Sequence, residues 1–161
     1  MMKWTHAFFA VAVLLLATVR LEPGVASAAG QPMLVVVAAS FPVTNITLAD
    51  LRRAFQGQAA EAAGKRLIPI NHPTGSPLRA SFDRAVLGLE PAEVGRFWVD
   101  KRIRDEGAPP KTAPSAELAL RIVASLPGAI TYVGQEGLNP TVKALTVDGK
   151  SGGQAGYPLA Q

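Results

Sequence analysis

The sequence predicts an α/β domain with a mixed sheet flanked by helices. Short β-branched apolar runs alternate with segments whose apolar residues recur at helical spacing, in the order β-α-β-α-α-α-β-β. The chain has no cysteine, so disulfides cannot stabilise it and the domain depends on its core alone.

The N-terminus is typical of a cleavable signal peptide. Lys3 precedes an uncharged apolar run over 7–19, and the sequence Ala-Ser-Ala at 26–28 supplies the small residues that a signal peptidase requires. We therefore expect a signal peptide over 1–28, with cleavage after Ala29 as the second choice, and a periplasmic or secreted protein.

A retained membrane anchor is the alternative for this segment. The 13 residues of the apolar run span only about 20 Å as a helix, whereas a hydrocarbon core is roughly 30 Å thick. We therefore expect no stable membrane anchor after cleavage, and one domain over 29–161 with its core at about 33–148 and a loose C-terminal tail.

Composition argues against several functional classes. The net charge is +4 for the whole chain, and removing Lys3, Arg20 and Glu22 leaves +3 without a concentrated basic face, so we expect no nucleic-acid binding. The mature part contains one histidine, His72, and no cysteine. It therefore lacks a His/Cys zinc cluster and a convincing Ser/His/Asp set, and we expect no metal, no cofactor and no catalytic residues.

The elements follow from caps and periodicity. Thr47, Ser76 and Ser115 are typical helix N-caps, and Pro77 suits a first helical position. The predicted helices run from Thr47 to Gly57, from Ser76 to Gly88, over 91–101 and from Ser115 to Pro127; the predicted strands are 33–38, 67–71, 129–133 and 142–147. We expect a loop over 58–65, a charged loop over 101–113, an edge or irregular position at Pro69, and a turn at 148–149.

The most informative segment joins the second strand to the second helix. A glycine turn delivers Thr74, Gly75, Ser76 and Arg79 to a helix N-terminus, where free amides, hydroxyls and a guanidinium favour a tetrahedral oxyanion. The same residues satisfy a purely structural interpretation, in which Ser76 caps the helix, Gly75 permits the turn and Arg79 is solvated. His72 has no evident partner in the sequence and is interpreted as a turn residue.

Three segments together resemble the phosphate-type substrate-binding proteins of ABC transporters. They are the helix over 47–57 that ends in Phe-Gln-Gly, the Gly75-Ser76 turn followed by Arg79, and the strand Pro-Gly-Ala-Ile-Thr-Tyr-Val over 127–133. The resemblance extends over about 44–148.

The resemblance implies a single lobe of a periplasmic binding protein-like (type 2) fold. It further implies reversible binding of phosphate or a similar oxyanion, with contacts at Gly75, Ser76 and Arg79, and an ABC permease or another envelope protein as partner. Pro77 and Leu78 stand where the family has Gly and Thr, and the chain is about half the usual length. An adaptor that keeps the fold but has lost the anion site is therefore the alternative.

Overall fold

The computed structural model describes residues 32–160, so the predicted signal peptide lies outside the described residues. A five-stranded sheet has the order β6-β5-β7-β1-β8. Its strands are β1 (Leu34–Ala38), β5 (Ile68–Asn71), β6 (Lys111–Thr112), β7 (Ala129–Val133) and β8 (Val142–Ala144). Because β5 is parallel to β6 and β7 while β1 is antiparallel to β7 and β8, the predicted mixed α/β sheet is confirmed.

Two smaller ladders complete the strands. β2 (Asn45–Ile46) pairs in parallel with β9 (Thr146–Val147), and β3 (Glu61–Ala62) pairs with β4 (Lys65–Arg66). The predicted loop over 58–65 thus contains most of a hairpin, whose turn residues Ala63 and Gly64 both have positive φ, as tight hairpin turns require. The predicted strand over 142–147 is divided between two sheets, since β8 pairs with β1 and β9 pairs with β2. Leu145, which lies between β8 and β9, donates its amide hydrogen to the carbonyl of Val35 at 2.8 Å.

Residues 32–160 contain four α-helices, α1 (Leu48–Phe55), α2 (Pro77–Phe82), α3 (Pro91–Ile103) and α4 (Ala116–Ser125), of which α1, α2 and α4 pack against the sheet. The predicted caps Thr47, Ser76 and Ser115 each accept an amide hydrogen bond from the third residue of their helix. α2 continues as a π-helical turn over Asp83–Leu87 and ends at Gly88, whose φ of 69° suits glycine. Among residues 32–160, no helix combines the length and hydropathy needed to cross a bilayer.

The two faces of the sheet bury different side chains. One face packs Val35, Val37 and Tyr132 against α1, α2 and the C-terminal segment, and the other packs Val36 and Val133 against α4. The sequences of the central strands are therefore continuous apolar runs, since residues on both faces are buried.

Several local predictions are wrong. The C-terminal tail is not loose: Tyr157 and Leu159 are buried in the core, and the carbonyl of Leu159 accepts a hydrogen bond from Met33. These two buried apolar residues stand in a glycine-rich segment, whose composition led to the prediction of a loose tail. α3 extends to Ile103 and buries Lys101, so the charged loop begins later than predicted. By contrast, the predicted edge position of Pro69 is confirmed, because Pro69 pairs with β7 on one side while β6 pairs only with the two residues after it.

Candidate functional site

The junction between β5 and α2 is shaped by a glycine turn. β5 ends at Asn71, and Gly75 has a φ of +89° with no atom within 4 Å of the position that a Cβ would occupy. The Ser76 side chain accepts a hydrogen bond from the Arg79 amide at 3.2 Å, and the Ser76 amide donates to the Pro73 carbonyl at 3.2 Å. The backbone at Gly75 therefore favours glycine because of its φ, not because space is short.

The exposed side of this junction presents backbone donors to solvent. Thr74 and Gly75 are exposed and Ser76 is half-buried. The amides of Gly75 and Leu78 donate to no acceptor in the part of the chain that the structure describes, while Pro77 has no amide hydrogen to offer. The surface thus retains two donors at the positive end of α2.

Arg79 is not the solvated charge of the structural interpretation. It is only 8% exposed, its Nε donates to Asp83 Oδ2 at 2.7 Å, and one terminal nitrogen donates to the His72 carbonyl at 3.2 Å. The pair lies at i and i+4 on one continuous helical path, which brings opposite charges together. Asp83 therefore already balances the charge of Arg79.

The four predicted residues do not contribute equally to one cavity. Thr74, Gly75 and Arg79 line a recess of about 40 Å³ together with Asp83, whereas Ser76 acts as the helix cap beside it. This volume is far below the roughly 300–1,000 Å³ of usual small-molecule sites. We refer to Thr74, Gly75, Ser76 and Arg79 as the first-turn site.

Behind the first-turn site lies a buried polar cluster, made of Asn71, His72, Arg79, Asp83 and Tyr132. The Tyr132 hydroxyl donates to Asn71 Oδ1 at 2.5 Å, and His72 Nε2 lies 2.6 Å from the Tyr132 carbonyl. Since a carbonyl can only accept, Nε2 carries the proton. The interpretation of His72 as a turn residue without a partner is wrong, because β7 supplies that partner 60 residues further along the chain.

Burial sets the protonation of this cluster. Desolvation lowers the pKa of His72, with the Arg79 charge adding to the effect and the Tyr132 carbonyl opposing it. Desolvation also raises the pKa of the Tyr132 hydroxyl well above its ordinary value. His72 is therefore neutral at pH 7 and serves as a hydrogen-bond donor.

Asp83 is the residue of the site that the sequence analysis missed. It is 3% exposed, and its Oδ1 has no hydrogen-bond partner among the described residues. Burial raises the pKa of this carboxyl, while the charge and hydrogen bond of Arg79 oppose the rise. An acidic residue four positions after Arg79, directly following the apolar Phe82, was the available sequence signal.

The hydrogen-bonding roles of Ser76 and His72 are already taken within the fold. The Ser76 hydroxyl caps α2 and His72 Nε2 is held by a carbonyl, so these two side chains do not form a nucleophile and base. Within residues 32–160, no group of three His, Asp or Glu side chains could hold a metal ion. Arg79, Thr74 and Gly75 line the recess together with Asp83, whose unpaired Oδ1 is itself buried.

Comparison with known proteins gives structural but not sequence relatives. No protein-family model matches the chain, and no curated protein matches it by sequence. An ABC-type phosphate transport receptor from Vibrio cholerae aligns with a TM-score of 0.65 and 18% identity, over 82% of this chain and 54% of that one.

Two further solved structures agree. A phosphate-bound substrate-binding protein from Clostridium perfringens aligns with a TM-score of 0.61 and 17% identity, over 77% of this chain and 48% of its own. PstS from Borrelia burgdorferi aligns with a TM-score of 0.62 and 17% identity, over 83% of this chain and 55% of its own. The chain therefore has the periplasmic binding protein-like fold of these proteins and spans about half of their length.

Proposed function

We propose, from the premise that this chain has the fold of phosphate-binding proteins, that it is a non-catalytic module that reversibly binds phosphate or a similar oxyanion. The first-turn site is the place of binding. The observation that carries the proposal is the recess that Thr74, Gly75 and Arg79 share with Asp83. Export to the periplasm or beyond, and an ABC permease as partner, belong to the same proposal.

The balance of donors and acceptors favours a protonated oxyanion. Amides at the turn and the Arg79 guanidinium supply donors, and the buried, unpaired Asp83 Oδ1 supplies an acceptor once the recess opens to admit an anion. Hydrogen phosphate carries both acceptor oxygens and a hydroxyl, but sulfate at neutral pH has no proton to donate to Asp83. We therefore expect phosphate to bind more tightly than sulfate.

The affinity expected for such a site is low. Asp83 already neutralises Arg79, the recess is small, and a chain with half the length of its structural relatives covers the ligand from one side. Charge attraction in a water-exposed site is weak. We expect dissociation constants of about a millimolar.

Calorimetric titration of the purified protein with phosphate and with sulfate tests the proposal. Ser76→Ala removes the cap at the first-turn site, and Ser115→Ala removes the equivalent cap of α4 at a similar cost of about 0.5–2 kcal/mol in stability. Phosphate binding should weaken in Ser76→Ala and remain in Ser115→Ala. Asp83→Asn, whose amide can donate, should narrow the difference between phosphate and sulfate.

An adaptor without a small ligand is the second candidate. It is favoured by the internal pairing of Arg79 with Asp83, and by the large exposed fractions of Val99 (57%) and Ile103 (78%), one turn apart on α3. If about millimolar phosphate produces neither heat in the titration nor a thermal shift, the adaptor is the candidate function that remains. An envelope protein that then co-purifies with the wild-type chain, but not with a Val99→Ser/Ile103→Ser variant, would support it.

A further inference from the structure

A larger groove lies at the other end of β5 from the first-turn site. It has a volume of about 400 Å³ and runs between the end of α1, the start of β5 and the segment 107–111. The groove and the recess beside Arg79 have no lining residue in common, and Asn71 lies about 7 Å along β5 from Pro69, the last strand residue that lines the groove. The groove is therefore distinct from the recess beside Arg79.

The floor and walls of the groove are apolar. Buried Ala54 and Leu67 form the floor, half-buried Ile68 and Pro69 form one wall, and Pro109 and Pro110 form the other. Prolines have a fixed φ, and their side chains lose little conformational entropy when a ligand packs on them. The groove thus offers an apolar surface that is already ordered.

Two glycines hold the walls in contact. A Cβ at Gly57 would lie 2.5 Å from the Ala108 carbonyl oxygen, and a Cβ at Gly107 would lie 2.8 Å from the Gly57 carbonyl oxygen. The end of α1 and the segment 107–111 therefore touch through their backbones. This backbone contact joins the two segments without an intervening side chain.

The charge at the groove has one sign. Arg66 and Lys111 are the charged residues among those that line it, and both are exposed. The ion pairs found within residues 32–160 use other cations, so neither of the two is neutralised there. An occupant with a negative group would meet two cations and no carboxylate among the lining residues, although Glu61 lies opposite Arg66 in the β3–β4 ladder.

We propose that this groove binds a small amphiphilic anion, with its apolar body on the proline-lined walls and its acidic head at Arg66 and Lys111. The volume lies within the range of roughly 300–1,000 Å³ that is usual for small-molecule sites. A mostly apolar cleft with a few polar groups is also the usual composition of such sites. The proposal does not depend on oxyanion binding at the first-turn site.

Octanoate is a suitable probe, with 1-octanol and acetate as probes that lack the charge or the apolar body. In an NMR titration of the purified protein, octanoate should shift the resonances of Ala54, Leu67 and Ala108 in a saturable manner and leave those of Thr74 and Gly75 unchanged. 1-Octanol, which lacks the charge, should bind about threefold to tenfold more weakly, and acetate, which lacks the apolar body, at least about tenfold more weakly.

Charge variants complete the test. Arg66→Gln/Lys111→Gln should weaken octanoate binding by about threefold to tenfold. Lys65→Gln/Arg102→Gln removes the same charge from two exposed residues outside the groove and should leave binding unchanged. Absence of saturable octanoate shifts, equal weakening by both double variants, or shifts centred on the first-turn site would each overturn the proposal.

Discussion

The two faces of the sheet differ in what they bury. On the face covered by α1 and α2, Phe82 stacks on Tyr132 with ring centroids 3.7 Å apart and planes inclined by 5°, and Phe55 lies against both rings. On the face covered by α4, the helix contributes the small residues Ala119 and Val123. One face is thus rich in aromatic rings, and the other is built from aliphatic side chains, which include Leu34 and Ile70 beside the small residues of α4.

The aromatic face carries the connected cluster of buried polar groups, whereas the α4 face buries the Thr131 hydroxyl, which donates to the Ile70 carbonyl at 2.9 Å. The buried polar cluster lies against Tyr132, and each member has a hydrogen bond that connects it to another member. Large rings leave spaces at their edges that polar atoms can occupy, whereas small residues bring α4 directly onto the strands. The comparison teaches that the candidate site depends on the aromatic face, and the α4 face provides stability without taking part in the site.

The largest expected effect comes from truncating the aromatic face. Phe82→Ala should lower the free energy of unfolding by about 3–5 kcal/mol, because a fully buried ring is replaced by a cavity. Val123→Ala, on the opposite face, should cost roughly 1–3 kcal/mol. Urea unfolding of both variants measures the difference. Equal losses of unfolding free energy in the two variants would show that both faces of the sheet contribute equally to stability.

Breaking the buried ion pair comes next. Arg79→Met leaves Asp83 buried without its partner and should cost about 3 kcal/mol, since the uncompensated charge stays in the core. Arg79→Met/Asp83→Leu removes both charges and should recover most of that loss. The exposed pair of Arg84 and Glu90 is a matched control, and Arg84→Met should change stability by less than about 1 kcal/mol. A double variant as unstable as Arg79→Met would contradict this account.

The smallest effect is a pH dependence from the same face. Because the folded pKa of His72 is lowered from its ordinary value of 6.5, the unfolded chain takes up the proton first as the pH falls. The contribution of neutral His72 to the free energy of unfolding is fully present above pH 6.5. Below that pH the contribution decreases by at most about 1.4 kcal/mol per pH unit. Unfolding between pH 7.5 and 5.5 measures this slope.

His72→Gln separates this contribution from that of Asp83. Glutamine keeps an N–H donor for the Tyr132 carbonyl and does not titrate. The decrease in the free energy of unfolding below pH 6.5 should therefore disappear in this variant. Asp83 acts in the opposite direction, because its raised pKa makes the folded state take up a proton first and gain stability as the pH falls towards 3.8. A slope that persists in His72→Gln would exclude His72 as its source.

Local signals were sufficient for most elements. The caps at Thr47, Ser76 and Ser115 and the strand over 129–133 were predicted correctly, because caps and apolar runs depend on neighbouring residues. The position of Gly75 at the turn follows from the same local rules. The elements that failed, such as the buried tail at Tyr157 and the division of the last strand, depend on contacts with distant segments.

The sequence by itself determined the α/β class, the helix caps and the segment that carries the first-turn site, since each is encoded within a few residues. Only the tertiary structure decided that the pair of Arg79 and Asp83 is buried and that His72 is held by β7. It alone also joined α1 to the segment 107–111 to form a groove. These outcomes depend on which buried groups meet across the fold, and desolvation then sets their charge and pairing.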